Sequence, residues 1–327
     1  MVIGSDYKLV DKRAKPDPES EEGALKEGVY TTIGAAIKAG GGTIVLLPDI
    51  YEETVMLEGG EKILSLAAAK NELEGDAGED LPALTADGVS TILGVSFHTV
   101  TLLGDAQLIG ITVQQRGPGK WFAVACAGGS ATLTRCNIDG ASSSCVGLTA
   151  VGASPTFTEC KIHGSFTGAG VCAFGGAKAS FEKCEIYNNK FSGVEVSGEN
   201  TEIALKDCII HSNRRDGVLV WDNAKCTLEG NQLRRNYHCG LEVRDKATAT
   251  ATANIIETND FGVLIALHGT CNLTENSICG NLITGVEISK ADVGEEGAEP
   301  PPLSELTANK INCNLESGIK IWHQVLL

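Results

Sequence analysis

The sequence predicts an all-β fold, a right-handed parallel β-helix of about ten or eleven coils with a short N-terminal capping helix. The chain has 327 residues, of which 39 are glycine and only 5% are aromatic. Short runs rich in Val, Ile, Leu and Thr recur along most of it, which is typical of many short strands joined by tight turns. Two sequence elements also repeat in step with each other, and this repeat indicates the architecture.

The first repeated element is a Cys or Asn followed two residues later by Ile or Leu. Its copies lie 22 to 24 residues apart, except for one interval of 33, at Cys136, Cys160, Cys184, Cys208, Asn231, Asn254, Asn276 and Asn309. The second element is a Gly followed by an aliphatic residue, at Gly147, Gly170, Gly193, Gly217, Gly240, Gly262, Gly285 and Gly318. A unit of this length has no room for a helix and cannot bury its inner face alone. Stacked units would pair each strand in parallel with its copies at about 4.8 Å, which gives a β-helix.

Three further columns of similar residues support the stacking. An apolar column, interrupted by Ala251, consists of Leu133, Phe157, Phe181, Leu205, Leu228, Leu273 and Leu306. The Cys positions of the repeat give way to its Asn positions, which predicts a cysteine column followed by an asparagine ladder. A second asparagine ladder is expected four residues before the repeated Gly, at Asn189, Asn213, Asn236, Asn281 and Asn314. Asn tolerates left-handed turn geometry and can bond to its stacked copy, so it suits a repeated bend.

The chain divides into an acidic, flexible N-terminal tail over residues 1–29 and a β-helix domain over residues 30–327. Residues 30–39 predict a short amphipathic helix that covers the first coil, and two strand-like runs follow. Acidic insertions are expected at 70–88 and 290–305, the second being rich in proline and accounting for the interval of 33 residues.

A resemblance follows from these motifs. The order of helix, GGTIVLLPDIYEETVML and then C-x-I and GV repeats resembles the pectin-lyase-like superfamily over about residues 30–323. More narrowly, it is similar to the carbohydrate-binding-and-sugar-hydrolase repeat proteins, such as the F-box β-helix and SHC-binding proteins. The resemblance implies the fold, and the F-box and SHC-binding relatives imply a role in protein–protein interaction. It does not single out one activity, because this fold carries many.

Charge and cysteine content limit the partners and the location. The net charge of −16 argues against nucleic acid and anionic membranes as partners. The chain contains no apolar run long enough for membrane insertion. Twelve cysteines spread through a large chain without a leader predict mostly reduced thiols and an intracellular, cytoplasmic protein.

One candidate site is an outward column of ionisable residues, which comes one residue after the Ile or Leu of each repeat. Its members are Asp139, His163, Tyr187, His211, Arg234 and Glu257. Proton abstraction beside a sugar carboxylate needs an acid, a base and a cation, and this column would offer all three. The alternative is a solvated ladder of mixed charges. The paired-Asp, Asp-Pro-His-Glu and calcium-cluster motifs of polygalacturonases, alginate epimerases and pectate lyases are missing.

A second candidate is a locally basic, aromatic zone that suits a contact surface. Its residues are Trp221, Arg244, Arg214, Arg215, Arg235, Tyr237 and His238. Exposed Trp beside Arg is typical of both sugar platforms and protein hot spots. The alternative is that these arginines only pair with neighbouring carboxylates.

No cofactor and no metal are expected. His163 and His211 lie two coils apart, about 9.6 Å, which is too far for one zinc ion. The cysteine column lacks CxxC spacing. We therefore expect a non-catalytic intracellular scaffold that binds one or more proteins, within a larger assembly or alone, with carbohydrate as a further ligand to consider. The alternative is a polysaccharide lyase, epimerase or hydrolase that uses the Asp139–Glu257 column.

Overall fold

The computed structural model describes residues 7–15, 25–73, 88–289 and 304–322. Within them the chain winds into a parallel β-helix with three sheets, which we call sheets A, B and C. Sheet A has thirteen strands, and sheets B and C have eleven each. Each of eleven coils contributes one strand to each sheet, and sheet A has two further strands at its N-terminal end, Tyr7–Val10 and Val29–Tyr30. The predicted all-β solenoid of ten or eleven coils is confirmed.

The strands follow one another up each sheet. Sheet A contains Val29–Tyr30, Tyr7–Val10, Thr43–Leu46, Lys62–Ser65, Gln107–Ile109, Thr132–Thr134, Thr156–Thr158, Lys178–Glu182, Glu202–Lys206, Lys225–Glu229, Thr248–Thr252, Thr270–Thr274 and Leu306–Thr307. Sheet B contains Ile50–Tyr51, Thr91–Gly94, Thr112–Gln115, Asn137–Ala141, Lys161–Ser165, Glu185–Tyr187, Ile209–His211, Gln232–Arg234, Ile255–Glu257, Ser277–Cys279 and Lys310–Asn312. Sheet C contains Val55–Leu57, Val100–Leu102, Val124–Cys126, Val146–Leu148, Val171–Ala173, Val194–Ser197, Val218–Trp221, Cys239–Val243, Phe261–Ile265, Thr284–Ile288 and Ser317–Ile321.

Each coil bends sharply between sheets A and B. The residue before each repeated Cys or Asn has a positive φ, for example Asp207 with φ 52° and Glu159 with φ 55°. One left-handed residue reverses the inward and outward alternation, so the Cys or Asn that follows is turned into the core. Cys208, for example, is fully buried and its thiol donates to the carbonyl of Phe181 at 3.4 Å.

The interior is filled by the predicted columns. Phe157 and Phe181 stack at 4.6 Å between ring centroids with an interplanar angle of 9°. Ala251 lies in register between Leu228 and Leu273, as its position in the sequence predicts. All twelve cysteines are free thiols, and most of them are buried.

Two asparagine ladders run along the bends, and both were expected from the repeat. The second ladder has one member more than predicted, because Asn259 joins Asn236 to Asn281. The turn of this coil is one residue shorter, so Asn259 lies three rather than four residues before its Gly. Every member from Asn189 to Asn281 donates its side-chain amide to the next Asn, at 2.9–3.2 Å.

The predicted N-terminal helix is present as α1, Ile33–Lys38. Thr32 caps it, because its hydroxyl accepts the N–H of Ala35 at 3.1 Å. Ile33 and Ala36 are fully buried in the core cluster together with Val10, so the helix covers the first coil.

The first strand corrects the expected boundary of the tail. Tyr7–Val10 falls within the segment predicted to be flexible, but it pairs in parallel with Thr43–Leu46 and with Val29–Tyr30. Val10 is fully buried beneath α1, and this burial fixes the strand. Residues 7–10 and 29 of the predicted tail are therefore strand residues of sheet A.

A second helix, α2, spans Leu66–Leu73 and was not predicted. Leu66, Ala68 and Ala69 are buried against the outer side of sheet A beside Val45 and Leu64. The expected insertions fall largely outside the described residues, which omit 74–87 and 290–303. Neither helix among the described residues is long and apolar enough to span a membrane.

Candidate functional site

The sheet B column forms as the sequence predicts. Asp139, His163, Tyr187 and His211 pair in register on successive coils, and Arg234 and Glu257 continue the same row. All six are partly exposed on the outer face of the sheet. The structure therefore brings together all the candidate catalytic side chains in one row.

Three rings of this column stack face to face. The centroids of His163 and Tyr187 are 4.7 Å apart, and those of Tyr187 and His211 are 5.2 Å apart with an interplanar angle of 3°. Because the rings cover one another's faces, they present mainly their edges to solvent. A platform for a sugar ring would need an exposed aromatic face instead.

The acidic end of the column is held by polar side chains that the sequence analysis missed. Asp139 lies 2.7 Å from Arg116 Nη2 and accepts the side-chain amide of Gln114 at 2.8 Å. His163 lies 3.3 Å from the same carboxylate through Nδ1 and 2.9 Å from Asn137 Oδ1 through Nε2. Partial burial keeps the pKa of His163 below its ordinary value, despite the opposing effect of Asp139.

In the middle of the column, His211 also has polar neighbours. His211 lies 3.1 Å from Glu185 Oε1 and 3.0 Å from Ser212 Oγ. Partial burial raises the pKa of Tyr187, whose hydroxyl has no hydrogen bond to the described residues. The histidines and Asp139 are thus engaged with neighbours, as in a structural ladder, while Tyr187 is free to meet a ligand.

The second candidate surface lies on sheet C and on the turns that lead into it from sheet B. We call it the arginine–tryptophan surface and define it by Arg214, Arg215, Trp221, Arg235, Tyr237, His238 and Arg244. Trp221 ends one strand of sheet C, and the guanidinium of Arg244 on the next coil lies 5.5 Å from its ring centroid. This is a cation–π contact of the kind that orders an interaction surface.

Part of the surface is a partly buried charge network. Arg215 Nε lies 3.2 Å from Asp216 Oδ2, and Arg244 Nε lies 3.3 Å from Glu242 Oε1. His238 Nδ1 lies 2.7 Å from Asp216 Oδ1, and this hydrogen bond raises the pKa of the imidazole. Burial raises the pKa of Glu242. For Arg215 and Arg244 the structure thus shows the expected alternative, pairing with carboxylates.

The rest of the surface is open. Arg214, Arg235 and Tyr237 are exposed on neighbouring turns, and Tyr237 is 74% exposed. Neither arginine has an ion pair among the described residues. The backbone N–H of Tyr237 donates to Asn213, the residue before Arg214, so the Tyr237 turn lies directly on the Arg214 turn.

Comparisons with known proteins agree on the fold. The family model described as a right-handed β-helix region matches residues 144–293. Solved structures resemble nearly the whole chain. The A-module of the mannuronan C-5 epimerase AlgE4 from Azotobacter vinelandii is 15% identical, with 98% of each chain covered and a TM-score of 0.57. Pectate lyase Pel9A is 12% identical, with 90% of this chain and 78% of that chain covered and a TM-score of 0.56.

The Dettilon tailspike protein is a further structural neighbour, 11% identical over 97% of this chain and 68% of that chain, with a TM-score of 0.55. No curated protein matches this chain. At such low identity the likenesses show the fold alone. The protein is a right-handed parallel β-helix.

Proposed function

We propose that the protein is a non-catalytic intracellular scaffold that binds a partner protein through the arginine–tryptophan surface. The observation that carries this proposal is the pair of arginines without ion pairs to the described residues, Arg214 and Arg235, beside the exposed ring of Tyr237. The chain has a net charge of −16, so these cations on adjacent turns form a basic patch in an acidic protein. They fit an acidic segment of a partner.

The residue types also suit a protein contact. Tyr, Trp and Arg are enriched among the residues that dominate binding energy at interfaces. The ion pairs of Arg215 with Asp216 and of Arg244 with Glu242 order the surface beneath them. A surface that is already ordered loses less side-chain entropy when a partner binds.

The second candidate function is catalysis by the sheet B column, for which the support is weaker than for the scaffold. Tyr187, between His163 and His211, has a hydroxyl without a hydrogen bond to the described residues, and Arg116 and Asp139 lie on the same face. An acid, a base and a cation in one row are the groups that a lyase, epimerase or hydrolase of uronate polysaccharides would use. A mannuronan epimerase and a pectate lyase share the fold.

Affinity capture from a native extract tests the proposal. The wild type should capture a stoichiometric protein partner. The double variant Arg214→Glu/Arg235→Glu should capture at least tenfold less of it. The matched control is Arg135→Glu/Lys206→Glu, because both residues are exposed cations without ion pairs to the described residues, near the bend between sheets A and B. Arg135 and Arg235 also share a positive φ, 51° and 53°.

Two results would reject the scaffold. One is equal capture by the wild type and the surface variant, with loss in the control. The other is the absence of a protein partner combined with turnover of a uronate polysaccharide. The second is measured as absorbance of the unsaturated product or as a change of epimer ratio, and Tyr187→Phe should abolish it.

A further inference from the structure

Four potential metal ligands converge beneath the arginine–tryptophan surface. Asp216 and His238 lie on successive turns between sheets B and C, and Cys239 and Glu242 belong to the strand Cys239–Val243. One ligand atom from each of the four lies within 4.8 Å of all the others. The sequence analysis missed this set because it considered only the histidines of sheet B and the cysteine column.

The ligand atoms are arranged around the imidazole of His238. Its Nδ1 lies 2.7 Å from Asp216 Oδ1, 3.3 Å from Cys239 Sγ and 3.7 Å from Glu242 Oε2. Asp216 and Cys239 are fully buried, whereas the side chain of His238 is 38% exposed. An ion would therefore be enclosed by protein and could enter beside the ring.

Each carboxylate has one oxygen directed to this centre and the other held outside it. Asp216 Oδ2 lies 3.2 Å from Arg215 Nε and 3.3 Å from the hydroxyl of Ser192. Glu242 Oε1 lies 3.3 Å from Arg244 Nε. Outer partners of this kind fix the orientation of metal ligands and are part of most metal sites.

Glu242 supplies an independent indication that this network binds a cation. Its side chain is only 7% exposed, and Oε2 has no hydrogen-bond partner among the described residues. The neighbours of Oε2, His238 Nδ1 at 3.7 Å and Arg215 Nη2 at 3.8 Å, are beyond hydrogen-bond distance. A buried carboxylate oxygen without a bond is costly, and a cation at the centre would satisfy it.

We propose that Asp216, His238, Cys239 and Glu242 bind one Zn²⁺ ion. Thiolate and imidazole ligands select zinc over calcium and magnesium, which take oxygen ligands. On binding, the thiol proton would leave to solvent and Cys239 would bind as the thiolate. His238 would bind as the neutral imidazole, through an unprotonated Nδ1 and with its proton on Nε2. This site does not depend on the proposed scaffold function.

Cobalt spectroscopy on the untagged full chain tests the site. Co²⁺ should bind with 1:1 stoichiometry and give a thiolate-to-cobalt charge-transfer band, which one equivalent of Zn²⁺ removes. Cys239→Ser should lose the band, and Glu242→Gln should weaken binding at least tenfold. Cys279→Ser is the matched control, because this partly buried cysteine lies on sheet B outside the cluster.

Failure to bind Co²⁺, or a band that persists in Cys239→Ser, would overturn the site. A band lost equally in Cys279→Ser would also overturn it. If Cys239→Ser does not fold, X-ray absorption of the zinc-loaded wild type identifies the coordinating atoms instead. One sulfur at about 2.3 Å with nitrogen or oxygen at about 2.0–2.2 Å supports the site, and a sulfur-free shell contradicts it. Partner capture with the Arg214 and Arg235 variants is a separate readout, so the two proposals can fail independently.

Discussion

Asn231 and Asn254 are joined twice through one oxygen. The side-chain amide of Asn231 donates to Asn254 Oδ1 at 3.0 Å, and the backbone N–H of Asn231 donates to the same atom at 2.8 Å. Asn254 in turn donates to Asn276 Oδ1 and to the carbonyl of Leu228. Each buried amide therefore satisfies groups on the coils above and below it, which fixes the stacking register.

Asn254→Ala should destabilise the protein by about 1–3 kcal/mol, because it removes the shared acceptor of two Asn231 donors and the donor to the Leu228 carbonyl. Thr250→Ala, which changes an exposed side chain of the same coil, should shift stability by less than about 0.5 kcal/mol. The measurement is the urea midpoint of both variants. Equal midpoints would mean that the ladder does not stabilise the stack.

Gly217→Ala should cost about 1–3 kcal/mol, because the bend between sheets B and C leaves no room for a methyl group. A Cβ atom at Gly217 would lie 2.6 Å from the carbonyl oxygen of Gly240 on the next coil. The matched control is Gly34→Ala in α1, where the new atom has ordinary contacts and alanine is the better helix former. Thermal unfolding should show opposite shifts for the two variants, and a harmless Gly217→Ala would contradict the close approach of the coils.

Stability should fall as the pH drops below 6.5, in part because of His98. Burial lowers the pKa of this imidazole from 6.5, and Nδ1 accepts the N–H of Phe122 at 2.9 Å, a bond that needs the neutral ring. The unfolded chain then binds the proton more tightly, so stability is full above pH 6.5 and declines toward the lower folded pKa. Urea unfolding at pH 5.5 and 7.5 gives the loss of unfolding free energy at the lower pH. This loss should be smaller in His98→Gln than in the wild type. An unchanged loss would rule out His98 as a source.

The ring stack of sheet B can be tested at Tyr187. Tyr187→Phe should alter stability by less than about 0.5 kcal/mol, since the hydroxyl has no hydrogen bond to the described residues. Tyr187→Ala removes two stacked contacts, each worth about 0.5–1.5 kcal/mol, and should lower the urea midpoint clearly. Equal effects of the two variants would show that the stack does not hold the column.

The fold could be predicted from the sequence because a parallel stack repeats its side chains at a fixed interval. Ala251 in the apolar column and Cys208 before the first Asn of the ladder lie where the repeat places them. The strand Tyr7–Val10 was not predicted, because it lies outside the repeat and is fixed by long-range burial of Val10. The helix α2 was missed for a similar reason, since its buried residues cover sheet A from outside.

For the candidate sites, the sequence predicts which residues stack in a row on successive coils, but not the contacts that they make across the turns. Register alone places Asp139 beside His163, because residues at the same point of the repeat are neighbours in a parallel sheet. Contacts across a turn depend on its backbone path, so the approach of His238 to Asp216 could not be read from spacing. The same holds for Arg116, which comes from the turn after its strand to reach Asp139.

The most direct test of the interaction surface is hydrogen–deuterium exchange of the protein with and without its captured partner. The proposal predicts slower exchange in residues 212–217 and 235–238, which carry Arg214, Arg235 and Tyr237. Exchange in the sheet A strands Lys178–Glu182 and Glu202–Lys206 should be unchanged. Protection confined to sheet A, or protection of the sheet B column with the turns unaffected, would contradict the assignment of this surface.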